Sequence, residues 1–125
     1  MIHGIGIDIV KTARIRSAVE RWGQRFLERV FTADEIAYAY KKADPFLSLA
    51  VRFAAKEAFI KATRKGQTIP LTDIEIVHHE HGRPLLHLKG ETKKCMGDAC
   101  AGTIHVSLSH EKEYGVACVV IEDRP

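Results

Sequence analysis

Ile74-Glu75-Ile76-Val77-His78, followed by the turn residues His81-Gly82-Arg83-Pro84 and then by Leu85-Leu86-His87-Leu88, is two short apolar runs around a polar turn. Runs this close together pair antiparallel, because a parallel pair needs a crossover of about a dozen residues or more. Upstream, Asp44-Pro45 supplies a helix cap and a first-turn proline. It opens the longest helix, predicted over 45–65 and stopping at Gly66. Before that, Thr32-Ala33-Asp34-Glu35 is a capping box, so a short helix begins there and runs to about Lys42. Thr12 is placed to cap a helix reaching Glu20, with a break near Gly23 and helical residues resuming to Val30. Downstream, a helix is predicted over 91–100 and strands over 103–109 and 115–121. Residues 2–10 alternate: Ile5, Ile7 and Ile9 point one way, Gly4, Gly6, Asp8 and Val10 the other. Strands and helices interleave around a hairpin, which predicts an α+β fold with a mainly antiparallel sheet, one long helix and shorter ones.

The 125 residues suit one domain, spanning 1–125, without repeat or linker. No apolar run reaches membrane-spanning length, and residues 1–6 read as the first strand and not as an export signal. Cys95, Cys100 and Cys118 match no zinc spacing; Cys118, inside an apolar run, is expected to be a core thiol, and a cytoplasmic location fits. The net charge of +3 is too small to imply nucleic acid. Residues 11–29, however, hold six basic side chains against two acids, which should attract an anionic partner. Trp22, in the same stretch, is expected in the core.

Two acids stand where acids are costly. On the long helix Phe46, Ala50, Phe53, Ala54 and Ile60 form one stripe, and Glu57 falls within it. An acid there is neutral, bound to a cation, or paired; Lys61, one turn on, is the candidate partner. Asp8 shares its strand face with two glycines, which often mark close approach of a ligand or another backbone. It either caps the following turn or meets Glu57 across the strand–helix interface. Two carboxylates with room left for water and phosphate suit Mg²⁺. The strand from residue 103 turns His105, Ser107 and Ser109 to one face, with His110 beyond; that face is either solvated or a set of donors for phosphate. His78, His79 and His81 read as a solvated hairpin end, not a metal cluster.

Gly4-Ile5-Gly6-Ile7-Asp8-Ile9, together with Arg52-Phe53-Ala54-Ala55-Lys56-Glu57-Ala58-Phe59-Ile60-Lys61-Ala62, resembles the signature pair of the holo-acyl-carrier-protein synthases, the short bacterial branch of the 4′-phosphopantetheinyl transferases. The Gly82-Arg83-Pro84 turn and the His105-to-His110 strand resemble that family too. The resemblance implies a homotrimer with active sites between subunits. By matching positions, Asp8 and Glu57 would bind Mg²⁺, and Asp8, Glu57 and Lys61 would be catalytic. Arg52 and Lys61 would lie at the phosphates of coenzyme A, with His105, Ser107 and Ser109 near its nucleotide end. Arg14, Arg21 and Arg25 would dock the acidic acyl carrier protein. Where the family has a Gly-Thr-Gly-like turn after the lysine, this chain has Thr63-Arg64-Lys65-Gly66, so Gly66 alone is left to offer that backbone to phosphate.

The implied reaction is attack of a carrier serine on the β-phosphorus of coenzyme A, releasing 3′,5′-adenosine bisphosphate. Glu57 is the first choice of base, because apolar surroundings raise its proton affinity, while a bound metal would lower it. Two readings from other classes compete: a small basic nucleic-acid-binding module and a non-enzymatic trimeric interaction protein. Paired acids aimed at a ligand argue against the first, and Mg²⁺-dependent binding of coenzyme A would exclude the second.

Overall fold

Residues 1–63, 68–79, 82–97 and 102–123 are described by the computed structural model of the chain. β1 (Ile2–Lys11) leads directly into α1 (Thr12–Trp22), and α2 (Gln24–Val30) and α3 (Ala33–Tyr40) follow. The long α4 (Pro45–Thr63) comes next, then a 3₁₀ turn (Leu71–Asp73) and the hairpin β2 (Ile74–His78) and β3 (Pro84–Leu88). α5 (Gly90–Gly97), β4 (Ile104–His110) and β5 (Tyr114–Glu122) complete the order. β1, β5 and β4 form an antiparallel sheet in that order, with Asp8 opposite Ala117 and Ala117 opposite Leu108. β2 and β3 pair separately as the predicted hairpin, with Ile76 opposite Leu86. The α+β architecture and its antiparallel pairing are therefore as the sequence predicts.

The local signals act as expected at several ends. Asp44 accepts from the Phe46 N–H at 3.0 Å, opening α4. Thr32 and Glu35 exchange both bonds of a capping box. Gly23, at φ +58°, breaks α1 from α2.

α4 lies against the inner face of the three-stranded sheet at unusually short range. A Cβ built on Gly4 would sit 1.8 Å from the Ala62 carbonyl oxygen, and one on Gly6 would sit 1.8 Å from that of Ala58. Glycine on the strand and alanine on the helix let the two backbones touch. Around that seam Leu49, Phe59, Ile74, Val119 and Ile121 are fully buried, each contributing about 1.5–3 kcal/mol. The outer face is different. Ile5, Ile7 and Ile9 are 59%, 61% and 60% exposed. Their cross-strand partners are Val120, Cys118 and Val116, and beyond these lie His105, Ser107 and Ser109.

Several expectations are corrected. Thr12 is the first helical residue and not the cap; Lys11 takes that position, and the Thr12 hydroxyl has no hydrogen-bond partner among the described residues. Trp22 is 55% exposed, with Arg21 stacked 5.0 Å from its ring centroid. Cys118 is half-buried on the outer face, because β5 alternates and it is 117, 119 and 121 that point to α4. The stripe predicted on α4 is not its buried face. Ala50 and Ala54 are buried, but Phe46, Phe53, Glu57 and Ile60 lie at its border. The helix is packed by the sheet on one side and by α1, α3 and β2 elsewhere, so apolar residues surround it and no single stripe marks the core. The predicted helix ends at Gly66 and at Cys100 lie outside the described residues.

Candidate functional site

The close seam of β1 and α4 sets the first cluster. Asp8 stands two residues past Gly6 on the same strand face. Glu57 and Lys61 immediately precede Ala58 and Ala62, the residues that Gly6 and Gly4 touch. Lys61 Nζ donates to Asp8 Oδ1 at 3.2 Å and to the Ile7 carbonyl at 3.0 Å. The lysine thus pairs with Asp8 across the interface, and no ion pair with Glu57 is among the described contacts. Glu57 is held above the usual carboxylate range, first by burial and then by the charge of Asp8, with Lys61 pulling the other way. Two carboxylates beside one amine form a site short of positive charge.

The second feature is a cleft of about 610 Å³ lined by Tyr38, Lys42, Ser48, Arg52, His78 and Ser107 among others. Arg52 is 2% exposed. Its Nη1 donates to the Ser48 hydroxyl at 2.8 Å and carbonyl at 3.3 Å, and its Nη2 donates to His78 Nδ1 at 2.9 Å. The guanidinium lies 4.3 Å from the Tyr38 ring centroid, while Nε is buried without a hydrogen-bond partner among the described residues. His78 stacks on the same tyrosine at 4.9 Å, so this end of the hairpin is built into the wall and is not merely solvated. His79 is exposed, and His81 lies outside the described residues.

His105, Ser107 and Ser109 are exposed on the outer sheet face, with Ser107 also edging the cleft that holds Arg52. His105 Nε2 pairs with Glu122 Oε1. Within one protomer these three therefore do not join Asp8, Glu57 and Lys61. Arg14, Arg21 and Arg25 are all exposed. Arg25 and Arg29 share a hollow of about 450 Å³ with Trp22 and Phe26, which gives the basic stretch an apolar floor. Gly66 lies outside the described residues.

Sequence reasoning missed a buried ion pair. Lys56 is 0% exposed and spends all three N–H bonds, on Glu35 Oε1 at 2.6 Å, the Val30 carbonyl at 2.8 Å and the Leu71 carbonyl at 2.9 Å. Glu35 Oε2 accepts from the Ile76 N–H at 2.9 Å. Burial lowers the proton affinity of Lys56, and Glu35 restores part of it. Glu35 Oε1 takes both the Thr32 N–H of the capping box and the Lys56 amine, and nothing in the spacing of 35 and 56 signals that pair.

A family model for the 4′-phosphopantetheinyl transferase superfamily matches residues 4–119. The chain belongs to that superfamily. It is 44% identical over 124 residues to a holo-acyl-carrier-protein synthase of Halothermothrix orenii, covering 98% of this chain and 99% of that protein. It is 45% identical over 121 residues to the protein of that name from Thermodesulfovibrio yellowstonii, covering 97% and 99%. The crystal structure of the Neisseria meningitidis synthase superposes with a TM-score of 0.89 at 34% identity, covering 98% of this chain and all of that one. The Helicobacter pylori synthase in complex with coenzyme A gives 0.80 at 34%, covering 94% and 99%.

As a member of a transferase superfamily the chain is an enzyme, which sets aside the reading as a non-enzymatic interaction protein. Among the described residues, no three His, Cys, Asp or Glu side chains converge as a metal cage. What this phosphopantetheinyl transferase does have is a half-buried pair of mutually repelling carboxylates. Two hard oxygen donors with open positions fit a divalent cation that keeps waters and takes phosphate oxygens, as Mg²⁺ does.

Proposed function

We propose that this chain is a holo-acyl-carrier-protein synthase: it moves the 4′-phosphopantetheine arm of coenzyme A onto a serine of apo acyl carrier protein, leaving 3′,5′-adenosine bisphosphate. The observation that carries the reading is the Asp8–Glu57–Lys61 cluster, two acids and an amine gathered by the glycine–alanine seam. Relatives bearing that name, and solved relatives holding coenzyme A, support it. The chain would act as one transferase domain in the cytoplasm, serving fatty-acid synthesis. No helix among the described residues is long and apolar enough to cross a membrane.

In the reaction the serine oxygen bonds to the β-phosphorus while the bond from that phosphorus to the bridging oxygen breaks. The serine proton goes to Glu57, whose burial and acidic neighbour make it a better base than an exposed carboxylate. Lys61, half-exposed and able to swing from Asp8, offsets the charge gathering on the leaving 5′-phosphate of 3′,5′-adenosine bisphosphate. Asp8 and Glu57 would hold Mg²⁺, which when bound would neutralise the diphosphate. Arg52 would serve the coenzyme A phosphates from the cleft wall, and Gly66 would offer its backbone to phosphate. The exposed arginines 14, 21 and 25 would receive the acidic carrier, with Trp22 and Phe26 as the apolar part of the seat.

The outer sheet face supports a homotrimer. Three isoleucines more than half exposed in a row are costly unless a second copy covers them. His105, Ser107 and Ser109 lie on that same face, so assembly would carry them to a neighbour's nucleotide and complete a site that one protomer leaves divided. The test is mass spectrometry of an apo carrier after incubation with the protein, coenzyme A and Mg²⁺. The phosphopantetheine mass increment should appear with Mg²⁺ and vanish with chelator; no increment under any condition refutes the reading. Sedimentation equilibrium that finds a monomer at micromolar concentration refutes the trimer.

A further inference from the structure

Arginine has no acceptor, so the 2.9 Å contact between Arg52 Nη2 and His78 Nδ1 has one possible sense: arginine donates and Nδ1 accepts. His78 is then a neutral imidazole carrying its proton on Nε2. The ring is not free to turn away, because it lies parallel to Tyr38 within 4° at a centroid distance of 4.9 Å. Ser48 holds Nη1 from the opposite side, and Tyr38 lies against the guanidinium plane. Three partners on α3, α4 and β2 therefore set the orientation of one buried cation. Nε, with no partner among the described residues, and the second Nη2–H are the donors left over. A buried N–H left unpaired costs energy unless a ligand takes it.

We propose that His78 is a positioning residue for Arg52, its Nδ1 holding the guanidinium so that Nε–H and the remaining Nη2–H are presented to a phosphate oxygen of coenzyme A in the cleft. The inference rests on the reading that the cleft holds the phosphates of that substrate. The chemistry is specific to a neutral ring. An imidazolium would bring an N–H and a second positive charge to the place where Arg52 needs an acceptor. The charged groups facing the ring are Arg52 from α4 and Lys42 from beyond α3; Tyr38 is the titratable neighbour on α3, and Glu35 bears on Arg52. Burial and these two cations keep His78 below its ordinary value of 6.5, which preserves the acceptor at neutral pH.

The test separates the acceptor from the ring. His78→Phe keeps a ring on Tyr38 and removes the acceptor; His78→Asn keeps an acceptor, because amide Oδ1 stands where Nδ1 stood. With Mg²⁺ and both substrates varied in turn, His78→Phe should raise KM for coenzyme A roughly tenfold or more and leave kcat and KM for the carrier within about twofold. His78→Asn should restore KM to within about threefold of the parent. Equal impairment of the Phe and Asn variants overturns the proposal. Arg52→Gln distinguishes the two levels. If it raises KM while His78→Phe does not, His78 has no positioning role and the cleft reading stands; if neither changes KM, both fall. Should His78→Phe not fold, ¹⁵N resonances of His78 in the parent decide: an unprotonated Nδ1 at neutral pH is expected, and a protonated Nδ1 overturns the proposal.

Discussion

Replacing Gly6 by alanine puts a methyl carbon 1.8 Å from the Ala58 carbonyl oxygen, with the Ala62 nitrogen 3.0 Å away. Both are main-chain atoms of α4, so no side chain can swing aside. Ordinary contact requires the helix and strand to part by about 1.5 Å. Overpacking of this kind costs about 1–3 kcal/mol, and backbone against backbone belongs at the upper end. The larger effect should be on the reaction. Glu57 is the residue before Ala58, and Asp8 is two residues past Gly6, so the displacement opens the gap between the two carboxylates. A misplacement of about 1 Å can cost on the order of a hundredfold in rate. Gly6→Ala should therefore lose about two orders of magnitude in kcat while remaining folded. Urea unfolding and a mass-spectrometric time course of holo-carrier formation measure the two effects. Gly23→Ala is the control, since nothing lies within 4 Å of a Cβ there and only its φ of +58° is strained; it should cost about 1 kcal/mol and little activity. A Gly6→Ala protein with parental stability and kcat within about twofold would refute the claim that the seam sets the site.

Asp8→Ala and Glu57→Ala should each abolish transfer and leave the fold intact by circular dichroism. Glu57→Gln adds a pH signature: because the folded protein holds the Glu57 proton more tightly than the ordinary value of 4.5, parental stability should fall as pH rises above that value, and the variant should lack this loss. Added Mg²⁺ should then raise the melting temperature of the parent more than that of Glu57→Gln. Lys56→Met strands Glu35 without its cation and should cost about 3–5 kcal/mol in urea unfolding, whereas a cost under about 1 kcal/mol would show that the pair is dispensable. Arg14→Glu should raise KM for the carrier roughly ten- to a hundredfold, less at high salt, with KM for coenzyme A unchanged; equal effects on both substrates would mean that α1 is only a solvated face.

The parts of this fold that were legible in the sequence are those governed by neighbours in the chain. Alternation separated Gly4, Gly6 and Asp8 from the isoleucines of β1, and the structure keeps that division. Asp44 and the Thr32–Glu35 box marked helix starts that form as read. The buried side of α4 was not legible, because a helix packed all round carries no single stripe. Nor were the partners of its cations. Lys56 meets Glu35 and Arg52 meets His78 across 21 and 26 positions, distances at which spacing says nothing about who touches whom. Trp22 was misjudged for a related reason: hydrophobic bulk predicts burial, but on a basic helix its flat ring is offered to solvent beside Arg21. The seam of β1 and α4 could be anticipated only in part, since two glycines on a strand say that something comes close without saying what.

The sealing of Lys56 also makes it a built-in reporter of the whole molecule's opening. Lys61, Lys89 and Lys94 keep about half or more of their side chains in water and will react with an acylating reagent in the native state. The Lys56 amine is enclosed by carbonyls from the end of α2 and from the 3₁₀ turn and by a carboxylate from α3, so no local fraying frees it. A reagent reaches it only when those segments separate together. The time course of its labelling, read peptide by peptide, is thus a clock for unfolding under conditions in which the protein remains almost entirely native.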